Sequence, residues 1–207
     1  MMINVDNVLK DLLSDSAFIG DVGIFGLCEN STAVLANDIF IASAADSNQR
    51  EEHIKQAVSA GAVAVLYDEG STAPVQRGVP MLGVENLAGR KSALAVKFYA
   101  APSAKIQCIG VTGTNGKTSI GFHVANFSDI LGVPCGYCGT LGWGRVKQLS
   151  EAALTTPNAV EMQRRIASFH ADNIPRLALE VSSHALAQGR IDDVKIDVAV
   201  FSNLTRD

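Results

Sequence analysis

GVTGTNGKTS, residues 110–119, is the stretch that decides the fold of this chain. An apolar run, Ile106 to Val111, comes directly before it, and a helical pattern follows with one apolar stripe of Ile120, Val124, Phe127 and Leu131. This order predicts a strand, a glycine-rich loop and an amphipathic helix in succession. Such a loop, placed between a strand and a helix N-terminus, is suited to binding a polyphosphate.

The residue types in the loop fit nucleotide binding. Gly113 and Gly116 have no Cβ, so the backbone can turn tightly and point N–H groups at phosphate oxygens. Lys117 is expected to reach the β and γ phosphates of ATP, and the hydroxyl of Thr118 is expected to bind Mg²⁺. The loop therefore predicts ATP and Mg²⁺ as cofactors.

The spacing departs from the strict G-x-x-x-x-G-K-[ST] pattern of Walker loops. That pattern requires glycine at position 111, where this chain has Val111, and the glycine lies one residue earlier at Gly110. We interpret the loop as a relative of the Walker type with one extra residue. The alternative is a glycine-rich turn that contains Gly-Lys-Thr without binding phosphate.

Composition narrows the class of protein. The chain has 207 residues, of which 47% are hydrophobic and 18% charged, and its formal net charge is −4. No basic surplus indicates nucleic acid, and no long apolar run indicates a membrane span. The first thirteen residues, MMINVDNVLKDLL, contain acids and lack the apolar core of a signal peptide, so we expect a cytoplasmic protein.

The first half of the chain alternates strand and helix patterns. A helix is expected from Val5 to Leu13 with Asn4 as its cap, and further helices are expected at 49–60 and 87–100. Strands are expected at 38–43, 62–67 and 79–84. The small, proline-containing segment Ala100 to Lys105 is the best linker candidate, so we place one domain at 1–104 and another at 105–207.

The same rhythm continues after the glycine loop. Strands are expected at 134–139, 177–181 and 196–201, with a glycine-rich segment through Gly144 after the first of these. Thr156 resembles an N-cap with Pro157 at the first helical position, for a helix that runs to about His170. The alternation predicts an α/β fold in which a parallel sheet is covered by helices.

Glu180 ends the strand expected at 177–181. Carboxyl ends of parallel strands form the edge at which α/β sheets bind ligands, so Glu180 could hold Mg²⁺ close to the loop. A solvated carboxylate at a strand end is the alternative. Ser183 beside His184 does not indicate a serine hydrolase, because adjacent residues on a turn rarely align for proton transfer and no G-x-S-x-G motif is present.

The four cysteines are Cys28, Cys108, Cys135 and Cys138. The last two have CxxC spacing, which is also found in redox pairs and in half of a zinc site. The four histidines show no paired ligand spacing, so we interpret the cysteines as reduced, buried residues without a metal.

Five motifs appear in order and carry a family resemblance. They are TGTNGKT at 112–118, LTTP at 154–157, EVSSH at 180–184, QGR at 188–190 and FSNLTRD at 201–207. Together they resemble the Mur ligases, and within that family the MurE type. Folylpolyglutamate synthases have a similar loop, but they typically carry Gly-Lys-Gly-Ser there and lack the EVSSH run.

The resemblance implies an ATP-dependent ligase of peptidoglycan precursor synthesis. It would join UDP-N-acetylmuramoyl-L-alanyl-D-glutamate to a diamino acid, diaminopimelate or lysine, through an acyl phosphate. The implied roles are ATP binding by Gly113, Thr114, Asn115, Gly116, Lys117 and Thr118; catalysis by Lys117 and Glu180; Mg²⁺ binding by Thr118 and Glu180; and contact with the UDP-muramoyl peptide by Ser31, Thr155, Thr156, Ser182, Gln188 and Arg190.

The first hundred residues depart from the family pattern. Asp-Ser-Arg of the family appears as Asn30-Ser31-Thr32, and Gly-Asp-Leu-Phe appears as Asn37-Asp38-Ile39-Phe40. The Asp-Gly-His segment is replaced by Asp46-Ser47-Asn48-Gln49. Uridine binding at Ser31 and a purely structural loop therefore both stay open.

The family pattern also continues beyond Asp207, with a further metal-site histidine, a carbamylated lysine and a C-terminal domain that binds the amino acid. We therefore expect a small N-terminal α/β domain followed by a truncated P-loop-type parallel-sheet ATPase domain. The alternatives are a non-catalytic module that binds a nucleotide or UDP-sugar, and a P-loop NTPase of another kind.

Overall fold

The computed structural model describes residues 23–43, 46–71 and 78–205. The chain divides between Phe98 and Tyr99 into two compact units. The helix expected at Val5 to Leu13 lies outside the described residues, as do Arg206 and Asp207 of the closing motif.

The first unit is a parallel sheet of four strands in the order β1-β2-β3-β4. The strands are β1 (Gly26–Cys28), β2 (Asp38–Ala42), β3 (Ala64–Asp68) and β4 (Met81–Val84), and the helices are α1 (Ser47–Ser59) and α2 (Leu87–Phe98). Three of these strands and both helices were predicted. β1 was not predicted, because a strand of three residues that begins with a glycine shows no readable alternation.

Burial on both faces explains why the predicted strands of this unit read as continuous apolar runs. Every residue of β2 is buried, from Asp38 to Ala42. Ile54 and Ala57 of α1 pack with Phe40 and Val65 on one face, and α2 buries Leu87, Leu94, Ala95 and Phe98. Sheets covered on both faces carry such runs.

The second unit is a sheet of six strands in the order β10-β5-β9-β6-β7-β8. Its elements are a 3₁₀ turn (Pro102–Ala104), β5 (Gln107–Thr112), α3 (Lys117–Ile130), β6 (Cys135–Gly139), β7 (Gly142–Arg145), β8 (Gln148–Ser150), α4 (Ala159–Ala171), β9 (Arg176–Glu180), α5 (Ser183–Ala187) and β10 (Val198–Phe201). The pairs among β10, β5, β9 and β6 are parallel, as predicted.

The antiparallel strands β7 and β8 were not predicted. β7 begins at Gly142 and contains Gly144, with φ values of +128° and +132°. A Cβ at these positions would lie 2.3 Å from the carbonyl oxygen of Ser150 and 2.7 Å from that of Gln148. Glycine is therefore required for this close pairing, and it removes the side-chain alternation by which strands are recognised.

The predicted apolar stripe of α3 is only partly right: Val124 packs against the core, but the later positions of the stripe are exposed. Phe127 is 57% exposed and Leu131 is 79% exposed, whereas Gly121, Ala125 and Ser128 are buried. A Cβ at Gly121 would lie 3.5 Å from the ring of Tyr137, so only small residues let the helix approach the sheet this closely. The side of α3 that packs is thus marked by small size rather than by hydrophobicity.

Thr156 is not the N-cap of α4. The cap is Asn158, whose side chain accepts a hydrogen bond from the N–H of Glu161 at 2.8 Å. Thr156 is buried, and its hydroxyl instead bonds the main chain at the end of β9. The prediction failed because threonine and asparagine are both good caps, and tertiary contacts of Thr156 decided between them.

The cysteines are free and buried, as predicted. Cys135 and Cys138 lie on β6 three positions apart, so they point to opposite faces of the sheet and pack in different apolar clusters. Opposed side chains cannot form a disulfide or share a metal ion. In the described ranges, no group of three or more His, Cys, Asp or Glu side chains could hold a metal ion on its own.

Candidate functional site

Strand order brings the glycine loop and Glu180 to one edge of the second sheet. β5 leads into the loop and β9 ends at Glu180, and these two strands are parallel neighbours with Val111 opposite Glu180. The carboxyl ends of both strands therefore meet at the edge where α/β sheets bind ligands. Glu180 is fully buried there, with 0% of its surface exposed.

The loop presents open N–H groups to this edge. Gly116 precedes α3 with φ of +85°, and Lys117 is the first helical residue. Within the described residues, no hydrogen bond is made by the main-chain N–H of Gly116, Lys117 or Thr118. Unpaired N–H groups at a helix N-terminus, together with the helix dipole, favour an anion.

The ammonium of Lys117 lies against the loop. Its Nζ donates to the carbonyl oxygens of Gly113 at 2.7 Å and Thr114 at 2.9 Å. An ammonium has three N–H donors, so one remains for a phosphate oxygen. Positive charge and open N–H groups are thus concentrated at one place.

A closing segment, Ser202–Thr205, holds the back of the loop. The carbonyl oxygen of Asn203 accepts from the N–H of Thr114 at 2.9 Å. The Asn203 amide accepts from the N–H of Asn115 and donates to its carbonyl oxygen, both at 3.1 Å. Ser202 Oγ donates to that same carbonyl oxygen at 2.7 Å. The segment that follows β10 is therefore joined to the loop that follows β5.

Gly113 is required for the contact between the glycine loop and the closing segment. Its φ is +129°, and a Cβ would lie 2.2 Å from Ser202 Oγ and 2.8 Å from the carbonyl oxygen of Asn203. Any side chain at this position would displace the closing segment from the loop.

The carboxylate of Glu180 is surrounded by hydrogen-bond donors. Its Oε1 accepts from the phenol of Tyr137 and from the N–H of Thr140 at 3.0 Å. Its Oε2 accepts from the hydroxyls of Thr118 at 2.9 Å and Thr140 at 3.2 Å. Burial, and next the bond to Glu180, raise the pKa of Tyr137 well above its usual range. The phenol therefore stays protonated and can donate.

Thr118 and Glu180 fit a magnesium ion. Mg²⁺ prefers oxygen ligands in an octahedron of about 2.1 Å radius, in which adjacent oxygens are about 3 Å apart. Thr118 Oγ1 and Glu180 Oε2 are separated by 2.9 Å. One carboxylate and one hydroxyl, completed by phosphate oxygens and water, is a usual Mg²⁺ site, and it needs no third protein carboxylate.

Two of the residues predicted to contact substrate extend this network. Thr155 Oγ1 is 3.1 Å from Thr140 Oγ1. Thr156 Oγ1 donates to the carbonyl oxygen of Glu180 at 2.8 Å and accepts from the N–H of Ser182 at 3.0 Å. The LTTP turn is thereby fixed beside the end of β9.

Ser182 and the QGR turn lie next to the LTTP turn. Ser182 caps α5, since its Oγ accepts from the N–H of Ala185 at 3.2 Å. Arg190 Nη1 donates to the carbonyl oxygen of Thr156 at 2.8 Å, and its Nε and Nη2 donate to Gln188 Oε1 at 2.9 and 2.6 Å. A guanidinium has five N–H donors, so two remain on Arg190 for a phosphate or carboxylate.

Ser31 lies in the first unit. It is buried, and its Oγ donates to Gln56 Oε1 at 2.7 Å. Asp38 Oδ2 accepts from the N–H of Leu35 at 3.0 Å. Both residues that match the family pattern therefore stabilise the connection between β1 and β2, and contact of Ser31 with UDP stays a prediction.

A pocket of about 190 Å³ lies in the first unit, near the carboxyl ends of β1 and β2. Its lining residues are Glu29, Phe40, Ala42, Ser43, Arg50 and His53. Glu29 is held by Lys91, whose Nζ is 2.6 Å from Oε1. Ser31 is not among the lining residues.

Three residues of the site were missed by sequence reasoning. Tyr137 was overlooked inside the CxxC run, Thr140 in the glycine-rich segment, and Asn203 in a motif that had been quoted without a role. Their partners are far away in sequence, with separations of 43 residues for Tyr137 and 88 for Asn203. An available signal was the position of Thr140 just after a strand, next to the predicted ligand edge.

The second unit is similar to a domain of known proteins. Residues 111–207 match the family described as the Mur ligase middle domain. A UDP-N-acetylmuramoyl-L-alanyl-D-glutamate--2,6-diaminopimelate ligase of Coxiella burnetii is 38% identical over 194 residues, which cover 93% of this chain and 40% of the relative. The protein of the same name from Ectopseudomonas mendocina is 42% identical over 179 residues, which cover 86% of this chain and 37% of the relative.

Solved structures of ligases with related names have a similar fold. A structure of UDP-N-acetylmuramoyl-L-alanyl-D-glutamate--2,6-diaminopimelate ligase has a TM-score of 0.74 and 26% identity, with 100% of this chain and 41% of that chain covered. A MurF ligase of Thermotoga maritima in complex with ADP shares the fold, with a TM-score of 0.58, 20% identity, and coverage of 89% and 38%. The chain thus spans about 40% of the length of these relatives. Among the described helices, none is long and apolar enough to cross a membrane.

Proposed function

Because residues 111–207 match the family described as the Mur ligase middle domain, we propose that this chain provides the nucleotide-binding part of an amide-forming ligase of peptidoglycan precursor synthesis. The substrates are ATP, UDP-N-acetylmuramoyl-L-alanyl-D-glutamate and a diamino acid. In this proposal residues 1–104 form the UDP-substrate domain and residues 105–207 the ATP domain. The site of action is the cytoplasm, with no role for nucleic acid or membrane insertion.

One observation carries the proposal. Thr118 at the start of α3 and Glu180 at the end of β9 are joined by a 2.9 Å hydrogen bond, beside a loop with open N–H groups. This arrangement supports binding of a nucleoside triphosphate with its magnesium ion rather than of a simple anion. An anion alone would need the loop but not a buried carboxylate next to it.

The reaction begins with a poor electrophile. A carboxylate does not react with an amine, so the γ-phosphoryl group of ATP is first transferred to the side-chain carboxylate of the D-glutamate, which releases ADP. The amine then attacks the acyl phosphate carbon, inorganic phosphate leaves, and the nitrogen loses a proton as the amide forms. In such phosphoryl transfers, positioning and charge stabilisation contribute most of the catalysis.

Residues of this chain have distinct roles in that step. Lys117 neutralises charge on the transferred phosphoryl group, and the N–H groups of residues 116–118 hold the phosphate oxygens. Gly113, Thr114 and Asn115 keep the loop in its open shape. Magnesium held by Thr118 and Glu180 supplies further charge neutralisation.

The UDP-muramoyl peptide is proposed to bind at the connected turns beside β9. The residues are Thr155, Thr156, Ser182, Gln188 and Arg190. Contact of Ser31, a residue of the first unit, with the UDP-muramoyl peptide is proposed as well. Arg190 suits this role because its two remaining N–H donors match a phosphate or a carboxylate in geometry and charge.

The diamino acid is assigned by similarity. The relatives from Coxiella burnetii and Ectopseudomonas mendocina are named as 2,6-diaminopimelate ligases. We therefore propose 2,6-diaminopimelate as the amine and lysine as the alternative.

Calorimetric titration of Mg·ATP tests the nucleotide site. The wild-type chain is expected to bind Mg·ATP, and Lys117→Ala is expected to lower the affinity by about tenfold or more, as for loss of a charged hydrogen bond. Lys147→Ala is the matched control, because Lys147 is an exposed lysine in the turn between β7 and β8. Equal affinities in all three proteins would contradict the proposal.

Binding of the UDP-substrate gives a second test. A ligase site predicts that UDP-N-acetylmuramoyl-L-alanyl-D-glutamate binds the chain and that Arg190→Ala weakens this binding, whereas Mg·ATP binding changes little. Binding of Mg·ATP without any binding of the UDP-substrate would instead favour a P-loop NTPase of another kind.

A further inference from the structure

The two oxygens of Glu180 have different kinds of donors. Oε1 is bound by the phenol of Tyr137 and by the main-chain N–H of Thr140. Oε2 is bound only by hydroxyl groups, those of Thr118 and Thr140. The structure thus distinguishes the two oxygens of a single carboxylate.

The donors on Oε1 are fixed in place. Tyr137 is fully buried on β6, and its ring meets Phe122 edge-on with centroids 6.0 Å apart. The N–H of Leu141 lies 3.4 Å from the phenolic oxygen on its other side. The N–H of Thr140 belongs to the turn that joins β6 to β7. Neither the phenolic oxygen nor the Thr140 nitrogen can move away from Oε1 without a change in the backbone or in the core.

The donors on Oε2 can reorient. A threonine hydroxyl rotates about its C–O bond and can turn its hydrogen away while its oxygen stays in place. Oε2 can therefore exchange hydrogen bonds for a cation without movement of any heavy atom. In the same change, Thr118 Oγ1 becomes available as a second ligand.

Close packing prevents a rotation of the Glu180 carboxylate that would exchange its two oxygens. A Cβ at Gly139 would lie 2.1 Å from Glu180 Oε1 and 2.5 Å from the phenolic oxygen, so this glycine creates the space in which the two groups meet. On the opposite side Gly121 approaches both the ring of Tyr137 and Cγ of Glu180.

We propose that Tyr137 is a positioning residue that occupies Oε1 of Glu180 and so leaves Oε2, beside Thr118, as the oxygen that binds a divalent cation accompanying a nucleoside triphosphate. The assignment rests on the proposed function, because it requires Mg·ATP at this edge of the sheet. Tyr137 itself touches neither the cation nor the nucleotide. It acts through Glu180, as outer-shell partners of metal ligands do.

The test compares ATP affinity with Mg²⁺ and with EDTA, in the wild-type chain and in Tyr137→Phe. The ratio of the two affinities is the gain that the cation provides. Loss of an outer-shell hydrogen bond typically lowers metal affinity by about tenfold to a hundredfold, so we expect the gain to fall by about tenfold. We expect the affinity in EDTA to change by less than about twofold, because the loop is unaltered.

This readout separates positioning from a general structural role. A Tyr137→Phe chain that is merely less well folded loses affinity to the same extent with and without Mg²⁺. Phenylalanine keeps the ring and its contact with Phe122, and urea unfolding without nucleotide verifies the fold. Tyr67→Phe on β3 of the first unit is the matched control, for which the gain stays at the wild-type value.

A second variant keeps the assignment testable if Tyr137→Phe is destabilised. Glu180→Gln removes the anionic ligand, so adding Tyr137→Phe to it should cause no further loss of the cation-dependent gain. An additive loss, or an unchanged gain in Tyr137→Phe alone, overturns the assignment. A wild-type chain that binds ATP equally well with and without Mg²⁺ overturns the proposed function of the site itself.

Discussion

Val111 and Glu180 face each other in register on adjacent parallel strands. Because β5 continues into the glycine loop and β9 stops at Glu180, this one register places the open N–H groups of the loop next to the buried carboxylate. A shift of the pairing by one residue would turn the carboxylate to the other face of the sheet. The geometry of the site is therefore a consequence of β-sheet register, and substitutions near it should act on nucleotide binding.

Two glycines that approach Glu180 provide a matched pair of substitutions. Gly139→Ala should lower the Mg·ATP affinity by about tenfold or more, because its Cβ would lie 2.1 Å from Oε1 and displace the carboxylate that is proposed to bind Mg²⁺. Gly121→Ala should be tolerated, since its nearest contacts would be 3.5 and 3.6 Å. Within α3 it should even raise the free energy of unfolding, by up to about 1 kcal/mol.

Calorimetric titration and urea unfolding of both variants measure these effects. Similar affinities for Mg·ATP in the two variants would show that the carboxylate can move without cost, contrary to the prediction.

Asn203 should control the shape of the loop. Asn203→Ala removes the amide that both accepts from and donates to the main chain of Asn115. Two hydrogen bonds of about 1 kcal/mol each correspond to a loss in ATP affinity of about tenfold or more. Leu204→Ala is the control from the same closing segment, since Leu204 is 83% exposed.

Asn203→Asp extends this prediction with a charge. The aspartate can still accept from Asn115, but it cannot donate, and it places a negative charge near the phosphates. Its loss of ATP affinity should exceed that of Asn203→Ala, and the excess should shrink with added salt. An aspartate variant that binds ATP as well as the wild type would exclude a role of this residue in the loop.

Local pattern predicted most of the fold. The apolar runs of β2, β3 and β9 are buried on both faces of their sheets, so hydrophobicity alone marked them. The residue types of the glycine loop predict a phosphate site in the same way. Glu180 could be predicted because the carboxyl edge of any parallel sheet gathers functional residues.

Strand order and close packing could not be predicted from local pattern. Tyr137 reaches Glu180 only because β6 lies beside β9, although two strands and a helix separate them along the chain. The buried side of α3 was predicted only in part, because close approach of the helix to the sheet requires small side chains at positions such as Gly121 and Ala125, which carry little hydrophobic signal. Both errors concern tertiary neighbours, which override local propensity.

Thr156 and Asn158 should have separable roles. Asn158→Ala removes the cap of α4 and should lower the free energy of unfolding by about 1 kcal/mol without affecting nucleotide binding. Thr156→Val leaves the carbonyl of Glu180 and the N–H of Ser182 without this partner. We expect this loss to lower the free energy of unfolding by about 1–3 kcal/mol. Thr156→Val should also weaken UDP-substrate binding. The reverse pattern of effects would reinstate Thr156 as the cap.

The buried cysteines should be unreactive in the folded chain. Burial raises the pKa of Cys108 to about 12 and that of Cys135 to about 11, and it also raises the pKa of Cys138. Because the thiolate is the reactive form, an aromatic disulfide reagent at pH 8 should label none of these thiols rapidly. In denaturant without reductant it should label all four cysteines. Rapid labelling of these thiols in the folded chain, or labelling of only two cysteines in denaturant, would contradict the structure.

Asp197 should make the stability of the second unit depend on pH in the acidic range. Its Oδ1 is 2.7 Å from Lys195 Nζ and its Oδ2 accepts from the N–H of Cys108 at 3.0 Å, and these bonds, that to Lys195 first, lower the pKa of the carboxyl below 3.8. A carboxyl with a lowered pKa in the folded state stabilises above its unfolded pKa, and this contribution is lost as the pH falls through the folded value. The free energy of unfolding should therefore differ between the wild type and Asp197→Asn at pH 7, and the difference should shrink as the pH falls below 3.8.

Urea unfolding from pH 7 to pH 3 measures this difference. In Lys195→Met the pH dependence should be reduced but not abolished, since the bond from Cys108 remains. A difference that is constant with pH would mean that Asp197 acts through its shape and not through its charge.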